Sequence, residues 1–367
     1  MPPHAVVVGI VGIAIAVAGV GLRAQDAPTP REVAAACVRE FTEPGKQTAA
    51  VARLVALGPE ALPALHKALV DPRPEVVRWA LFACSGLSGD TASLRNPIER
   101  HLRSADLGVA LAAQRAWPIV GGGGVFGVLG NEWVRMTSDG HERLCELARP
   151  YRCEPLPNGN LLVVSHQRKT IVERSPTGED VWTCTEATSP VDAERLPNGN
   201  TLITDYILRR VIEVDRSGAV VWCVTTEGMP FDADRLGNGN TLIAQFDQGG
   251  VIEVDPQRRT VWQWKETSVG FVARQPDGNT LVALSGRGAV VLISPERETL
   301  RQWPLAQCLY AELLPNGHLL AGSFQQLVEF DANGQEMWRD DVARMTDLHV
   351  HGPGLGRRSP AAPKASK

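Results

Sequence analysis

Beyond residue 150 the chain alternates short apolar runs with polar turns at a regular spacing. The turns Leu156-Pro-Asn-Gly-Asn160, Leu196-Pro-Asn-Gly-Asn200 and Leu236-Gly-Asn-Gly-Asn240 lie 40 residues apart, and Pro276-Asp-Gly-Asn279 and Pro315-Asn-Gly-His318 follow at steps of 39. Asn-Gly and Asp-Gly tolerate the positive φ of a tight β-hairpin. Each turn precedes a strand: Leu161–Ser165, Thr201–Tyr206, Thr241–Phe246, Thr280–Leu284 and Leu319–Ser323. A third strand follows, such as Val211–Asp215 or Val251–Asp255, and then a fourth that carries Trp. Trp182, Trp222 and Trp262 again lie 40 apart, and Trp303 and Trp338 hold nearby places in the last two units. A 40-residue unit of four strands is the period of a β-propeller blade.

Five complete units run from about 151 to 340, and two fragments remain. Val125–Val128, Trp133–Thr137 and Arg143–Leu147 supply strands two to four, with Ser138-Asp139-Gly140 as a turn. Thr346–His351 stands where a first strand is due. Together they make a sixth blade, and closing the ring from both ends removes an open sheet edge. The expected fold is mainly β, a six-bladed β-propeller, with seven blades as the alternative count.

Residues 30–120 follow a helical period instead. Gln47–Leu57, Glu60–Val70, Glu75–Leu87, Thr91–Arg103 and Leu107–Val120 alternate with breakers such as Gly58-Pro59 and Asp71-Pro72-Arg73-Pro74. Val76, Trp79, Ala80 and Cys84 share one face. This rhythm predicts a small all-α solenoid. The stretch Leu62–Ala80, with Asp71-Pro72, Val77-Arg78 and Ala80, resembles the HEAT repeat family. That resemblance implies either a protein-binding arm or a structural cap for the propeller.

Ala5–Leu22 is uncharged and Arg23-Ala24-Gln25-Asp26 follows. An apolar stretch before a small residue and a polar start fits a secretory signal, and an uncleaved anchor is the alternative. The chain is therefore expected outside the cytoplasm, periplasmic or extracellular, or membrane-anchored and facing outward. The expected division is 1–24 as signal or anchor, 25–120 as helical module, 121–351 as propeller and 352–367 as a disordered tail. Gly121–Gly124 reads as a hinge between the modules.

Composition is ordinary for a globular protein, with 44% hydrophobic and 21% charged residues. The net charge of −4 leaves no footprint for nucleic acid. Nine Trp against three Tyr are accounted for mainly by the blade repeat. Export permits disulfides, and Cys145–Cys153 is the favoured pair among seven cysteines; the alternative is seven small buried thiols.

The residues Leu196–Leu202 and Val211–Trp222 resemble the pyrroloquinoline-quinone-like propeller repeat, nearest to the arylsulfotransferase-type branch. The resemblance covers about 121–351. It implies the fold, while that superfamily includes enzymes and scaffolds alike. No dedicated quinone pocket is legible, so no quinone cofactor is expected.

The strand before each turn is expected nearest the axis. Six residues before the turn Asn stand Arg152, Asp192, Asp232, Phe271, Tyr310 and Asp347; four before it stand Glu154, Glu194, Asp234, Ala273, Glu312 and His349. Positions two apart share a strand face, so carboxylates from several blades gather at the axis. They would hold a divalent cation or a small cationic ligand. Alternatively they line a solvated channel, with Asp192 and Asp232 fixing turns and Arg152, Arg195 and Arg235 as counter-charges. Asp347, His349 and His351 alternate on one strand, as metal ligands or with His349 as a catalytic acid, base or nucleophile. Arylsulfotransferases use a propeller His as nucleophile, but their supporting His and Arg pattern is absent from this sequence. The function expected is an exported, non-enzymatic binding or scaffold protein with a protein partner. The alternatives are an arylsulfotransferase-like enzyme and a cation-binding propeller.

Overall fold

The computed structural model describes residues 28–118, 124–137, 140–342 and 344–351. The segment 1–24, the tail 352–367 and most of the glycine run lie outside the described residues.

The helical module comprises α1 Pro30–Arg39, α2 Gln47–Leu57, α3 Leu62–Ala68, α4 Pro74–Ser85, α5 Arg95–His101 and α6 Leu107–Ala116. Helix α1 escapes a reading from periodicity. Its start is encoded in Thr29 and Glu32, which form a reciprocal capping box: Glu32 N–H donates to Thr29 Oγ1 at 3.3 Å and Thr29 N–H donates to Glu32 Oε2 at 2.7 Å. The breaker before α4 is set by Asp71, whose carboxylate accepts from the Arg73 N–H at 3.0 Å. Ala34, Phe41, Leu54, Leu65, Val76, Trp79, Ala80 and Ile98 meet in one buried core.

Six antiparallel four-stranded sheets follow, and they are the six blades of a propeller. In the first, the last strand Met345–His351 pairs with Gly124–Leu129, His349 lying opposite Phe126. The two fragments at the ends of the repeat thus complete one sheet, and six is the count. The inner strands of blades 2 to 6 are Arg152–Pro155, Pro190–Arg195, Pro230–Arg235, Val269–Arg274 and Cys308–Leu313.

The repeated residues are the joints between blades. In blade 3, Asn200 Nδ2 donates to Glu213 Oε1 at 2.6 Å, bracing the hairpin against the third strand. Glu213 Oε2 accepts from Arg235 of blade 4 at 2.8 Å. That guanidinium lies 5.2 Å from the Trp222 ring, and Trp222 Nε1 donates to the Pro256 carbonyl of blade 4 at 3.1 Å. Glu173, Arg195 and Trp182 repeat this set between blades 2 and 3, and Glu253, Arg274 and Trp262 between blades 4 and 5. The Asn-Gly-Asn, Glu and Trp signals are one network seen at three sequence positions.

All seven cysteines are free thiols. The Cys145–Cys153 disulfide is therefore corrected. Both residues sit in one apolar cluster with Val128, Trp133 and Val163, and they serve there as small packing groups.

Candidate functional site

Blade geometry brings the inner strands together around the axis and stacks their side chains in layers. The uppermost layer is apolar. Phe231 packs with Leu309 and Tyr310, and Tyr151, Tyr206, Phe246 and Leu348 lean on this cluster. Phe231 is its centre, with ring centroids 6.3 Å from Tyr151, 6.0 Å from Tyr206 and 5.3 Å from Phe246. Residues from blades 1, 2, 3, 4 and 6 meet here.

Beneath it lies a buried ionic layer. Arg152 Nη1 donates to Asp192 at 2.9 Å and also to Asp232, so one guanidinium joins blades 2, 3 and 4. Its carbon lies 5.2 Å from the Tyr310 ring centroid. Each aspartate spends its second oxygen on the next blade. Asp192 Oδ2 accepts from Ala233 N–H at 3.3 Å, Asp232 Oδ2 from Val272 N–H at 2.8 Å, and Asp347 Oδ2 from Cys153 N–H at 2.6 Å. These carboxylates clasp neighbouring inner strands; they do not fix turns. Burial pushes the Asp232 carboxyl up to about 7 against the pull of Arg152.

The third layer holds Glu154, Glu194, Asp234, Glu312 and His349. Glu154 accepts from Arg195 N–H at 2.8 Å and Glu194 from Arg235 N–H at 2.9 Å, which repeats the clasp. The side chains of Arg195 and Arg235 turn away to pair with Glu173 and Glu213, although the Arg195 charge still pulls on Glu154. Besides His349, this layer takes a second cation from the helical module. Arg115 in the last turn of α6 reaches the ring, its Nη2 3.6 Å from Asp234 Oδ2, and the charges of Glu194, Glu312 and Glu154 act on it as well. Its side chain remains 57% exposed, while Asp234 is largely covered. Helix α6 is held there by Gln114, which donates to the Arg195 carbonyl at 3.2 Å. Gly108 packs against Gly237, where a Cβ would stand 2.6 Å from the Gly108 Cα. That contact explains why Gly237 replaces the Pro found at this place in the neighbouring hairpins.

Desolvation raises Glu154 to about 7, raises Glu194 strongly with help from Asp234, and raises Glu312. His349 behaves oppositely. Burial lowers it, but Asp347, with Oδ2 3.0 Å from His349 Nε2, outweighs burial and carries it to about 9. Its ring also lies 6.0 Å from Trp133. Among the described residues no three His, Cys, Asp or Glu side chains gather as a metal ligand set. Asp347 and His349 form an ion pair, and the His351 side chain lies outside the described residues. The structure therefore brings together Arg152, Asp192 and Asp232 in one layer and Glu154, Glu194, Asp234, Glu312 and His349 in the next. Sequence reading misses Arg115. Its only local signal is an Arg near a helix C-terminus, and the partner lies 119 positions later at Asp234.

No protein-family model matches the chain, and no curated protein matches it. Among solved structures, a Bacteroides caccae protein of unknown function is similar at 19% identity and a TM-score of 0.52, covering 61% of this chain and 97% of its own. A chain of the nidogen/laminin complex is similar at 12% identity and 0.52, covering 63% and 98%. Streptogramin B lyase is similar at 11% identity and 0.43, covering 53% and 69%. At these identities the likeness is one of fold: the chain is a β-propeller protein.

Proposed function

We propose that this chain is an exported, non-enzymatic binding protein that presents the open face of its propeller to a protein partner. The observation that carries this reading is the placement of α6. The helical module covers the face made by the Asn-Gly hairpins, and Arg115 enters the carboxylate ring. The module then acts as a cap, whether or not its HEAT-like pattern marks descent from that family. The opposite face, built from the second hairpin of each blade, carries no such cover among the described residues. Exposed apolar residues stand there: Ile207, Leu208 and Phe324. The apolar run Ala5–Leu22 supports export, and a propeller of this fold occurs in the nidogen/laminin complex, a precedent for a protein partner.

The enzyme reading is weaker on chemical grounds. A nucleophile or base needs a free nitrogen lone pair, and Asp347 keeps the His349 imidazole protonated at neutral pH. A cationic ligand for the ring has to displace Arg115.

The test is site-specific photo-crosslinking in the producing cell, using the full chain. A photoreactive side chain at position 208 on the open face is expected to capture a partner. The same group at position 261, exposed on an outer strand, is not. Equal capture at both positions, or none at 208, removes the open-face role. A measurable turnover abolished by His349→Gln would favour the enzyme.

A further inference from the structure

We propose that the open face at blades 2 and 3 is a docking site for an acidic partner segment that carries apolar side chains. The assignment rests on the binding role proposed above and names the partner's chemistry.

The second hairpins of blades 2 to 5 have longer turns of similar length with different residues at their tips. Blade 3 places Ile207 and Leu208 there, 66% and 47% exposed. The equivalent pairs are Gln167-Arg168 in blade 2, Asp247-Gln248 in blade 4 and Gly286-Arg287 in blade 5. Blade 6 exposes Phe324 on a shorter hairpin, but among blades 2 to 5 the aliphatic tip belongs to blade 3 alone, so it is not a demand of the fold. Two exposed aliphatic side chains on a tip gain burial only from an outside partner.

Charge is concentrated beside this tip. Arg149, His166, Arg168, Lys169, Arg209 and Arg210 surround it on blades 2 and 3. Arg209 is engaged with Asp247 at 3.0 Å, Arg210 with Asp205 at 3.1 Å and Arg149 with Gln167 at 3.0 Å. Arg168 and Lys169 are exposed and have no ion pair among the described residues.

Lys169 adds an independent observation. Its φ is 57°, in the left-handed region that disfavours a side chain. Blades 4 and 5 put glycine at the same turn position, Gly249 at φ 86° and Gly288 at φ 62°. Blade 3 puts Arg209 there, and its guanidinium braces the neighbouring hairpin. Lys169 shows no such bracing among the described residues, so its cost is not recovered inside the fold. Arg258 and Arg297 take a positive φ in other exposed turns, so what sets Lys169 apart is its place beside Arg168 and the apolar tip.

Glu227, Asp247 and Glu266 stand on the same face at blades 4 and 5. A flat anionic bilayer would meet them together with the basic groups. Asp247 is already neutralised by Arg209, and exposed Glu186 lies beside Arg210, so among the described residues the unpaired positive charge is confined to Arg168 and Lys169; so small a basic patch suits a narrow protein segment better than a flat bilayer.

The experiment measures binding to the full chain by fluorescence anisotropy. One labelled synthetic peptide interleaves Glu with Leu and Phe. A second replaces each Glu with Lys, and vesicles of mixed phosphatidylserine and phosphatidylcholine form a third arm. The acidic peptide is expected to bind and the basic one not. The paired change Arg168→Glu, Lys169→Glu is expected to weaken binding about tenfold or more, and Leu208→Ser to weaken it as well. Lys169→Gly is the discriminating variant. It relieves the turn, so thermal stability is expected to hold or rise while affinity falls. Equal binding of both peptides overturns the proposal, as does an affinity unmoved by Lys169→Gly. Binding to vesicles that these variants abolish, without peptide discrimination, assigns the face to a membrane and overturns it too. Crosslinking at 208 without acidic-peptide binding removes the partner chemistry alone; failure of crosslinking removes the binding role beneath it.

Discussion

Arg152 carries three blades with one nitrogen. Removing it leaves Asp192 and Asp232 facing each other in a buried layer, and breaking a buried pair from one side costs about 3–5 kcal/mol. Arg152→Met is expected to lose that order of stability in urea unfolding. Adding Asp192→Asn and Asp232→Asn should restore part of it, because the stranded charge is then gone. A loss well under about 1 kcal/mol would show that the layer is wet and weak, as exposed pairs are. The third layer predicts a pH dependence. Glu154 titrates near 7 in the folded chain against about 4.3 unfolded. Between those values the folded state holds the extra proton, so stability falls as pH rises. His349, raised to about 9, contributes stability present below about 6.5 and lost as pH climbs through 9. Both groups act in one direction. The melting temperature is expected to be higher at pH 5 than at pH 8, and Glu154→Gln should flatten the lower part of that slope. A melting temperature that rises with pH over this range would contradict the assignment of burial as the cause at Glu154 and of Asp347 as the cause at His349.

At the scale of elements, repetition decides what sequence shows. The hairpins, the Glu of the third strand and the Trp of the fourth recur, so the blade and the six-blade count are legible from pattern alone. The axial positions are legible for the same reason, since they sit at a fixed offset from each turn. Their purpose is not. A carboxylate at the axis reads as a ligand group, while in the structure Asp192, Asp232, Glu154 and Glu194 are tied to backbone N–H groups one blade away. That pairing depends on where neighbouring strands come to lie, and local spacing carries no trace of it. Gly237 is the exception that marks the docking of α6. Gly237→Pro restores the residue that the neighbouring hairpins use, yet it puts ring atoms where Gly108 lies. The blade should fold as before while α6 is displaced. Hydrogen exchange over residues 107–116 is expected to quicken with no change in the strands of blade 4. Unchanged protection of α6 would show that the contact is dispensable.

For the whole molecule, closure is made by seven residues at the end of the repeat. Met345–His351 supplies the inner strand of blade 1, and Asp347 clasps Cys153 of blade 2 while pairing with His349. Deleting 345–351 leaves Gly124–Leu129 with an unpaired edge and opens the ring between blades 6 and 2. An exposed edge strand is a template for pairing with another chain. The truncated chain is expected to lose stability and to run as oligomers in size-exclusion chromatography with light scattering. A synthetic peptide of residues 345–351 should fill the vacant strand and return the monomer, since the rest of the ring is already shaped around it. The Asp347→Asn form of the peptide should rescue less well, because its side chain no longer carries the charge that pairs with His349. A truncated chain that stays monomeric and equally stable would mean that five blades hold the ring without closure. The cap on the hairpin face would then be the element that sets the stability of the whole.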